Sequence, residues 1–304
     1  MKPTDVLVCG NPTIDELVGQ GRPSFRPGGS ALFASCAASF LGSRVGILGN
    51  IGEDYPPATL RRLGELHIGT NSLRTVEGPS TRFRITRLDG SRKLQLLEPG
   101  DPIAAPHNQR FFQGVHLGPV FNEISRSLVN TLRSRCGFLS ADLQGFTRAA
   151  SGKGVVRTVP RNLRRMLGKC NMVQASIGEA RVQTRSRDPR RILSKFLTGK
   201  IEFAIVTMGK RGSWLGSQRV GAYWVPAFPD PSIRDSTGAG DVFAGSWVST
   251  YLSTRDPVWA SSVGSAFASL SSRRTGLSKF QISRTELFKR AGWVYNRVKA
   301  SRLV

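Results

Sequence analysis

The sequence is poor in cysteine and histidine, and this excludes several kinds of site. Its four cysteines include no CxxC pair, which excludes a zinc knuckle and a disulfide framework. We expect them to be buried thiols in a reducing compartment: Cys9, Cys36, Cys136 and Cys170. The histidines have no metal-ligand spacing, so they do not predict a histidine-based metal centre: His67, His107 and His116.

Long apolar runs are also missing. The longest uncharged stretches, residues 27–43 and 257–272, are broken by serine, glycine or proline, so neither is predicted to span a membrane. The apolar run that follows Asp5 is too short for the apolar region of a signal peptide. We therefore expect a cytoplasmic protein.

Acidic residues are scarce beside basic ones. The chain has 44 Lys+Arg against 20 Asp+Glu, a formal net charge of +24. Such a surface attracts nucleic acid, anionic lipid or phosphorylated small molecules, and charge alone does not choose among them. In residues 148–191, 12 basic side chains stand against Glu179 and Asp188. No aromatic residue interleaves these arginines, so a solvated face is the first interpretation and a polyanion patch the alternative.

The 304 residues are 39% hydrophobic, enough for a sizeable core. Buried-strand patterns alternate with helical ones along most of the chain. The strands are predicted at residues 5–10, 45–48, 137–142, 172–175 and 204–208, and the helices at 30–42, 57–66 and 163–167. This alternation predicts an α/β fold with a mostly parallel central sheet flanked by helices. Asp142 ends one strand, where open α/β sheets border a ligand crevice.

Residues 81–97 (TRFRITRLDGSRKLQLL) break this alternation. Apolar and polar residues alternate on both sides of Asp89-Gly90, a pair that favours a type I′ hairpin turn. One face is apolar, with Phe83, Ile85, Leu94 and Leu96, and the other is basic. The hairpin could extend a sheet edge or cover a binding cleft.

Residues 234–247 (RDSTGAGDVFAGSW) carry the most chemical information. Gly238, Ala239 and Gly240 lack bulky side chains, so a ligand can approach the backbone, and a helical pattern begins at Asp241. A glycine turn that feeds a helix start presents N–H groups to an anion, best a phosphate. One interpretation is that Asp241 simply stabilises the helix end. The other is that it accepts a proton from an attacking hydroxyl, which would explain why a negative charge is placed beside a phosphate that it repels. The Walker A and dinucleotide-binding patterns are absent.

The stretch from Asp235 to Asp241, DSTGAGD, resembles the C-terminal signature of the PfkB (ribokinase-like) carbohydrate kinases. Further matches are Gly28-Gly29, which resembles the family's diglycine, residues 11–15, which resemble its substrate strand-end, and residues 49–54 (GNIGED), which resemble its G-x-D element. Residues 206–212 (VTMGKRG) are similar to its nucleotide strand. The resemblance covers nearly all of the chain. It implies one ribokinase-like domain over residues 1–304, with the 81–97 hairpin in a small β lid.

The resemblance implies phosphorylation of a hydroxyl by ATP with Mg²⁺. Asp241 is then the general base and Gly238, Ala239 and Gly240 form the anion hole, roles that suit phosphoryl transfer. The implied ATP-binding residues are Ser176, Glu179, Thr207, Gly209 and Gly212, with Glu179 acting indirectly on Mg²⁺. Asp235 resembles the family residue near a monovalent cation such as K⁺.

Two departures concern the ligands. Ser176 stands where the family often has asparagine in an N-x-x-E motif that Glu179 completes, although a hydroxyl can still bind water or phosphate. No asparagine follows Gly28-Gly29 closely, so the acceptor pocket is not that of an ordinary ribokinase.

Residues 142–148 (DLQGFTR) resemble a DxQGFxR stretch of the myo-inositol kinase-like branch, and Phe33 fits that branch too. Asp142, Gln144 and Arg148 suit a ligand rich in hydroxyls and phosphates, although a polar loop is the plainer interpretation. With Asp15, Gly28 and Gly29 they are the expected acceptor-binding residues.

The expected substrate is a sugar or polyol, for which myo-inositol is a candidate. A nucleoside or other sugar kinase is the alternative, and a non-catalytic ribokinase-like protein that binds sugar or nucleic acid is the alternative of another class. We expect a small-molecule substrate, a nucleotide and no membrane. A nucleic-acid partner is the weaker expectation, and the lid edge could pair in a homodimer.

Overall fold

The computed structural model describes residues 5–19, 22–88, 91–106 and 110–303. The strands follow one another along the chain as β1 (Asp5–Cys9), β2 (Thr13–Val18), β3 (Ser24–Gly28), β4 (Arg44–Gly52), β5 (Ile68–Val76), β6 (Arg82–Leu88), β7 (Ser91–Glu98), β8 (Phe112–Leu117), β9 (Cys136–Asp142), β10 (Arg148–Ala150), β11 (Val156–Thr158), β12 (Met172–Ser176), β13 (Phe203–Thr207), β14 (Ser213–Ser217), β15 (Gly221–Val225) and β16 (Lys299–Ser301).

The helices alternate with these strands. They are α1 (Ser30–Phe40), α2 (Pro57–Glu65), α3 (Arg126–Arg133), α4 (Arg164–Leu167), α5 (Ile177–Thr184), α6 (Pro189–Phe196), α7 (Ala239–Thr254), α8 (Pro257–Ser271) and α9 (Arg284–Tyr295). Two 3₁₀ turns, Gly209–Arg211 and Gly276–Phe280, connect larger elements. None of the helices in the described part of the chain has the length and apolarity needed to cross a membrane.

Ten of the described strands form the central sheet, in the order β16-β15-β14-β13-β12-β9-β8-β1-β4-β5. Its pairs from β5 to β13 are parallel, and β14, β15 and β16 add an antiparallel edge. One core cluster packs α1, α2, α7, α8 and α9 against one face of the sheet, and a second packs α3, α4, α5 and α6 against the other. The predicted α/β class with a mostly parallel sheet is confirmed.

Small side chains let two of the helices approach closely. Gly245 of α7 faces the backbone of Ala34 in α1, with no room for a methyl group between them. As predicted, α1 follows the diglycine and its chain turns at Gly42, where φ is 97°. The close packing of α1 against α7 therefore helps to fix the position of α7.

The lid is larger than the sequence indicated. The predicted hairpin is β6 paired with β7, with Phe83 opposite Leu96 and Ile85 opposite Leu94, while Asp89-Gly90 lies outside the described residues. Strands β2 and β3 complete a four-stranded sheet of order β3-β2-β6-β7. The parallel pairing of β2 with β6 joins positions as far apart as Glu16 and Arg84, which no local pattern reveals.

The structure also locates the scarce residues. The four cysteines are free and buried, as predicted. His67 is exposed, His107 lies outside the described residues, and His116 is buried in β8 with its Nδ1 3.0 Å from the Ser140 hydroxyl oxygen.

The arginine-rich stretch 148–191 is largely solvated. Its exposed arginines are Arg157, Arg161, Arg164, Arg165, Arg181, Arg185, Arg187 and Arg191. This exposure agrees with the solvated-face interpretation. Binding of a polyanion there stays a prediction.

Candidate active site

The site lies where the parallel strands of the central sheet end. Asp142, Ser176 and Thr207 are the last residues of the neighbouring strands β9, β12 and β13. Because parallel strands end at the same edge of a sheet, their side chains gather there. The start of α7 contacts the same group through its first residues.

A glycine turn begins α7. Gly238 has φ 75°, and the helix start has no side-chain cap. A Cβ at Gly238 would lie 2.5 Å from the Phe33 ring, so this position requires glycine both for its conformation and for space. The Ala239 N–H donates to the Ser236 carbonyl oxygen at 3.1 Å. That N–H is therefore occupied within the chain, and a helix start without a side-chain cap still presents the positive end of its dipole to an anion.

The Asp241 carboxylate sits half-buried in this first turn. The Gln144 side-chain amide donates a hydrogen bond of 3.0 Å to Asp241 Oδ1. The Arg148 guanidinium in turn donates to Gln144 Oε1 at 3.0 Å and to the Val120 carbonyl oxygen at 2.8 Å. The guanidinium also lies 5.8 Å from the centre of the Phe83 ring in the lid. A chain of contacts therefore runs from the lid to the Asp241 carboxylate.

Asp142 is a buried carboxyl between two other acids. Its Oδ2 accepts from the Gln174 side-chain amide at 2.9 Å, and the same amide donates to the Gly240 carbonyl oxygen at 3.0 Å. Burial raises the pKa of Asp142 to about 8, and the carboxylates of Glu179 and Asp241 add to this rise. The edge of the sheet thus concentrates acidic groups directly beside the glycine turn that begins α7.

Ser176 and Glu179 form a capping box at the start of α5. The Ser176 hydroxyl donates to Glu179 Oε2 at 2.7 Å and accepts from the Glu179 N–H at 3.3 Å. Glu179 Oε2 also accepts from the Ser176 N–H at 2.8 Å. These bonds stabilise the helix start. The sequence had indicated only roles in binding ATP and Mg²⁺ for Ser176 and Glu179.

The predicted nucleotide turn follows β13. The Met208 N–H donates to the Gly212 carbonyl oxygen at 2.8 Å and closes the turn around Gly209–Arg211. Gly209 and Gly212 both have positive φ, 58° and 82°. Thr207 lies half-buried at the strand end, so these predicted residues form one short loop.

Asp15 lies on lid strand β2 and not at the end of a central strand. Its carboxylate is 8% exposed, and Oδ1 accepts from the Thr13 hydroxyl at 2.8 Å. A Cβ at Gly28 would meet Asp15 Oδ2 at 2.2 Å, so glycine at this position makes room for the carboxylate. Gly29, with φ 94°, then starts α1. The diglycine therefore joins the lid to the helix that supports α7.

Asp235 lies in the loop before the glycine turn and is 8% exposed. The Lys279 ammonium donates to the Asp235 carbonyl oxygen at 2.6 Å and lies 3.5 Å from Oδ2 of the same residue. An ammonium group thus already contacts two oxygens of Asp235, the residue expected near a monovalent cation, so the fit to K⁺ is poor. Among the described residues there is also no group of three or more acidic, cysteine or histidine side chains that could hold a metal ion.

Comparison with known proteins places the chain in a family. The model of the pfkB family of carbohydrate kinases matches residues 8–283. This chain belongs to the PfkB family. A PfkB kinase transfers a phosphoryl group to a hydroxyl acceptor. The protein is therefore a phosphotransferase of the class that contains the sugar and nucleoside kinases.

Individual relatives of this PfkB kinase are distant. A cytidine kinase of Thermococcus kodakarensis is 24% identical over 257 residues, which cover 81% of this chain and 88% of the relative. A ribokinase of Arabidopsis thaliana, complexed with ribose and ATP, has a TM-score of 0.77 at 17% identity, over 95% and 99% of the two chains. A pyrophosphate-dependent kinase of the ribokinase family, complexed with a pyrophosphate analog and myo-inositol, has a TM-score of 0.77 at 18% identity, over 89% and 96%. The predicted ribokinase-like fold is thereby confirmed.

Three contributors to this PfkB site were missed in the sequence. Gln174 bridges Asp142 and the α7 turn, and the only sequence signal for it is a polar residue inside a buried strand. Lys279 lies 38 positions beyond Asp241 in no recognised motif. Strand β2, which carries Asp15, was predicted only as a strand end.

Proposed function

We propose that this PfkB kinase transfers the γ-phosphoryl group of ATP to a hydroxyl of a small polyol of the myo-inositol type. The observation that carries the proposal is the hydrogen bond from Gln144 to Asp241. It joins the DLQGFTR stretch, which indicates the acceptor, to the carboxylate that we assign as the general base. One constellation thus serves both acceptor recognition and proton transfer.

The part of the site proposed for the phosphoryl donor is suited to a nucleotide. The glycine turn before α7 suits the transferring phosphoryl group, and the turn formed by Thr207, Gly209 and Gly212 suits the rest of the donor. Structural relatives include the Arabidopsis thaliana ribokinase complexed with ATP and a pyrophosphate-dependent kinase, so the donor must be tested directly.

The proposed transfer needs one base and one anion hole. The acceptor oxygen attacks the γ-phosphorus, its O–H proton passes to the Asp241 carboxylate, and the bond from the γ-phosphorus to the bridging oxygen breaks to release ADP. Backbone N–H groups at the start of α7 stabilise the charge on the transferring group. Gln144 holds one oxygen of Asp241 and thereby orients the carboxylate towards the acceptor.

Mg²⁺ would be supplied with the nucleotide, because the described residues include no group of three or more metal-ligating side chains. Burial and two neighbouring carboxylates raise the pKa of Asp142, which marks an excess of negative charge at the site. Mg²⁺ commonly uses one or two carboxylates together with phosphate oxygens and water. Bound there, the ion would neutralise phosphate charge, with Glu179 in the first turn of α5 acting through water.

On the acceptor side, we propose that Asp15 and Asp142 hold hydroxyl groups between the lid and the sheet. Asp15 approaches from β2 and Asp142 from β9, so the two carboxyls belong to the two parts that would enclose the acceptor. A carboxylate accepts hydrogen bonds from hydroxyl groups, and the protonated form that the raised pKa of Asp142 favours can also donate one. The lid residues then exclude water from the reacting hydroxyl.

The test is phosphoryl transfer with two donors and a panel of acceptors. ATP and pyrophosphate are each offered with myo-inositol, ribose, fructose, cytidine and adenosine, and product is followed by ³¹P NMR. Transfer from ATP to myo-inositol with the highest kcat/KM supports the proposal. Faster transfer from pyrophosphate contradicts the donor assignment, and preference for ribose or fructose contradicts the acceptor assignment.

A nucleoside acceptor is the second candidate. The curated relative that favours it is the cytidine kinase of Thermococcus kodakarensis, although identity is only 24%. Preference for cytidine or adenosine over every polyol in the same panel would replace the first proposal with this one. An Asp15→Asn variant should raise the KM of whichever acceptor is used and leave the nucleotide Kd unchanged.

A further inference from the structure

Lys279 is a fully buried charged side chain outside the assigned machinery. It lies in the 3₁₀ turn Gly276–Phe280 that follows α8, and it is 1% exposed. Lysine is almost never fully buried unless its charge is paired, because an isolated ammonium loses its hydration. Its position therefore calls for a specific negative partner.

That partner is Asp235. The Lys279 ammonium donates to the Asp235 carbonyl oxygen at 2.6 Å and lies 3.5 Å from Asp235 Oδ2. The other carboxylate oxygen, Oδ1, accepts from the Thr237 N–H at 3.0 Å. A single positive charge thus faces both a carbonyl oxygen and a carboxylate oxygen of one residue, as a bound alkali cation would.

The open side of Asp235 also repels cations. A cavity of about 300 Å³ between the lid and the loop before α7 is lined by Asp235 together with Arg22, Arg26 and Arg234. A K⁺ ion on this side would enter a cavity that three arginines line, beside a carboxylate already paired with an ammonium. Charges of the same sign repel one another, so this lining disfavours a further cation.

We propose that the Lys279 ammonium takes the place of a monovalent cation at Asp235, so that the protein needs no K⁺. An ammonium group has the charge of K⁺ and donates to the same kind of oxygen atoms, but it is tethered and cannot dissociate. The part of this proposal that concerns catalysis rests on the proposed kinase reaction. The part that concerns stability does not.

The tethered charge also has a positioning role. The Asp235 and Arg234 N–H groups both donate to the Ser272 carbonyl oxygen at 2.9 Å, so this loop is pinned to the end of α8. Lys279 adds a charged contact to the same loop three residues before Gly238. Holding Asp235 therefore holds the turn that begins α7, and Lys279 acts on the anion site through that turn.

The first measurement uses the wild-type protein. Its thermal midpoint and its steady-state rate with the best donor and acceptor are recorded at constant ionic strength in choline, Na⁺, K⁺ and NH₄⁺ chlorides. We expect both quantities to agree in all four salts, with rates within about twofold. A rate in K⁺ or NH₄⁺ more than about fivefold above that in choline and Na⁺ would overturn the proposal.

The second measurement uses Lys279→Ala, with Lys289→Ala on the exposed face of α9 as the matched control. We expect Lys279→Ala to have a lower midpoint in choline, partly restored by K⁺ or NH₄⁺ but not by choline at the same ionic strength, and the rate should follow. The control should respond to none of the salts. A folded Lys279→Ala variant with the wild-type midpoint and rate in every salt contradicts the proposal.

A double variant separates the charge pair from general damage. In Asp235→Asn with Lys279→Ala, both charges are gone, so the response of the midpoint to K⁺ should disappear. A K⁺ response that persists in the double variant would place the cation away from Asp235 and contradict the proposal. Since the midpoints need no turnover, these results stand even if the proposed kinase reaction fails its own test.

Discussion

Two helices begin at the same edge of the sheet, and their first turns are built in opposite ways. At α5, the Ser176 hydroxyl and the Glu179 carboxylate satisfy the helix start with the chain's own oxygens. At α7, the N-cap residue Gly238 has no side chain, and the helix start has no side-chain cap. The same backbone physics thus gives one helix start that side chains cap and one without such a cap, and the glycine at the N-cap position makes the difference.

This comparison bears on the substitution of serine for asparagine at position 176. The Ser176 hydroxyl already donates and accepts within the capping box. Its predicted contact with water or phosphate stays a prediction, and such a contact would have to compete with these bonds. The hydrogen-bond donors at the start of α5 are already used within the capping box. A ligand there would therefore encounter mainly the negative charge of Glu179.

The sharpest test of the α7 start is Asp241→Asn. Asparagine keeps the size of the side chain but cannot accept the acceptor proton, so the rate of transfer should fall by about 10²–10⁴. Nucleotide binding should persist, because the glycine turn is unchanged. Single-turnover transfer and a nucleotide Kd measure the two effects.

The matched control is Asp256→Asn, since Asp256 caps α8 by accepting from the Val258 and Trp259 N–H groups. It should leave the transfer rate unchanged. If Asp241→Asn transfers phosphate as fast as this control, Asp241 is only a helix-end residue.

Gly238→Ala should displace the start of α7. Its methyl group would lie 2.5 Å from the Phe33 ring at a backbone φ of 75°, so the turn must shift. A displacement of about 1 Å in a positioning element can lower a rate by about 10²-fold. We expect this loss in kcat together with weaker binding of the donor.

Gly292→Ala in α9 is the control for glycine replacement, because a Cβ there meets nothing within 4 Å. It should leave kcat unchanged and raise the thermal midpoint slightly. Equal kcat values for the two alanine variants would show that the α7 turn tolerates a side chain.

Asp142 lies between the two helix starts and interacts electrostatically with Glu179 of α5 and Asp241 of α7. Its folded-state pKa of about 8 lies above the usual 3.8, so between these values the folded chain holds a proton that the unfolded chain has released. The free energy of unfolding must therefore fall as pH rises through this window. Asparagine does not titrate, so Asp142→Asn should remove this fall in the free energy of unfolding. The free energy of unfolding of the variant should exceed that of the wild type by most above pH 8.

Denaturant titrations of both proteins from pH 4 to pH 9 check this. The buried His116, whose pKa burial lowers to about 4, gives an opposite slope between about pH 4 and 6.5. This slope is common to both proteins, so the difference between them isolates Asp142. A difference that does not grow with pH would mean that Asp142 is ionised in the folded protein.

The smallest expected effect belongs to the capped start of α5. Ser176→Ala removes the N-cap side chain of α5 and should lower the free energy of unfolding by about 1 kcal/mol. Ser176→Asn keeps a good capping oxygen and should be nearly neutral. A Ser176→Ala variant with unchanged stability and a raised KM for the donor would instead make Ser176 a ligand contact.

The alternating pattern of the central sheet was predictable because its information is local. Each buried strand is a short apolar run, and each helix carries its own start and stop residues, as with Gly29 and Gly42 around α1. The glycine turn before Asp241 was predictable for the same reason, since a turn, a helix start and a carboxylate are adjacent in the chain. These features required no knowledge of distant contacts.

Other parts depended on residues that only folding brings together. Strand β2 becomes a lid strand because it pairs with β6, and Gln144 reaches Asp241 across 97 positions of sequence. The Lys279–Asp235 pair likewise joins a 3₁₀ turn to a loop 44 positions earlier. Local chemistry in the sequence thus determined the fold class and the glycine start of α7. Burial and long-range contacts, which set charge pairing and pKa, decided which side chains act on it.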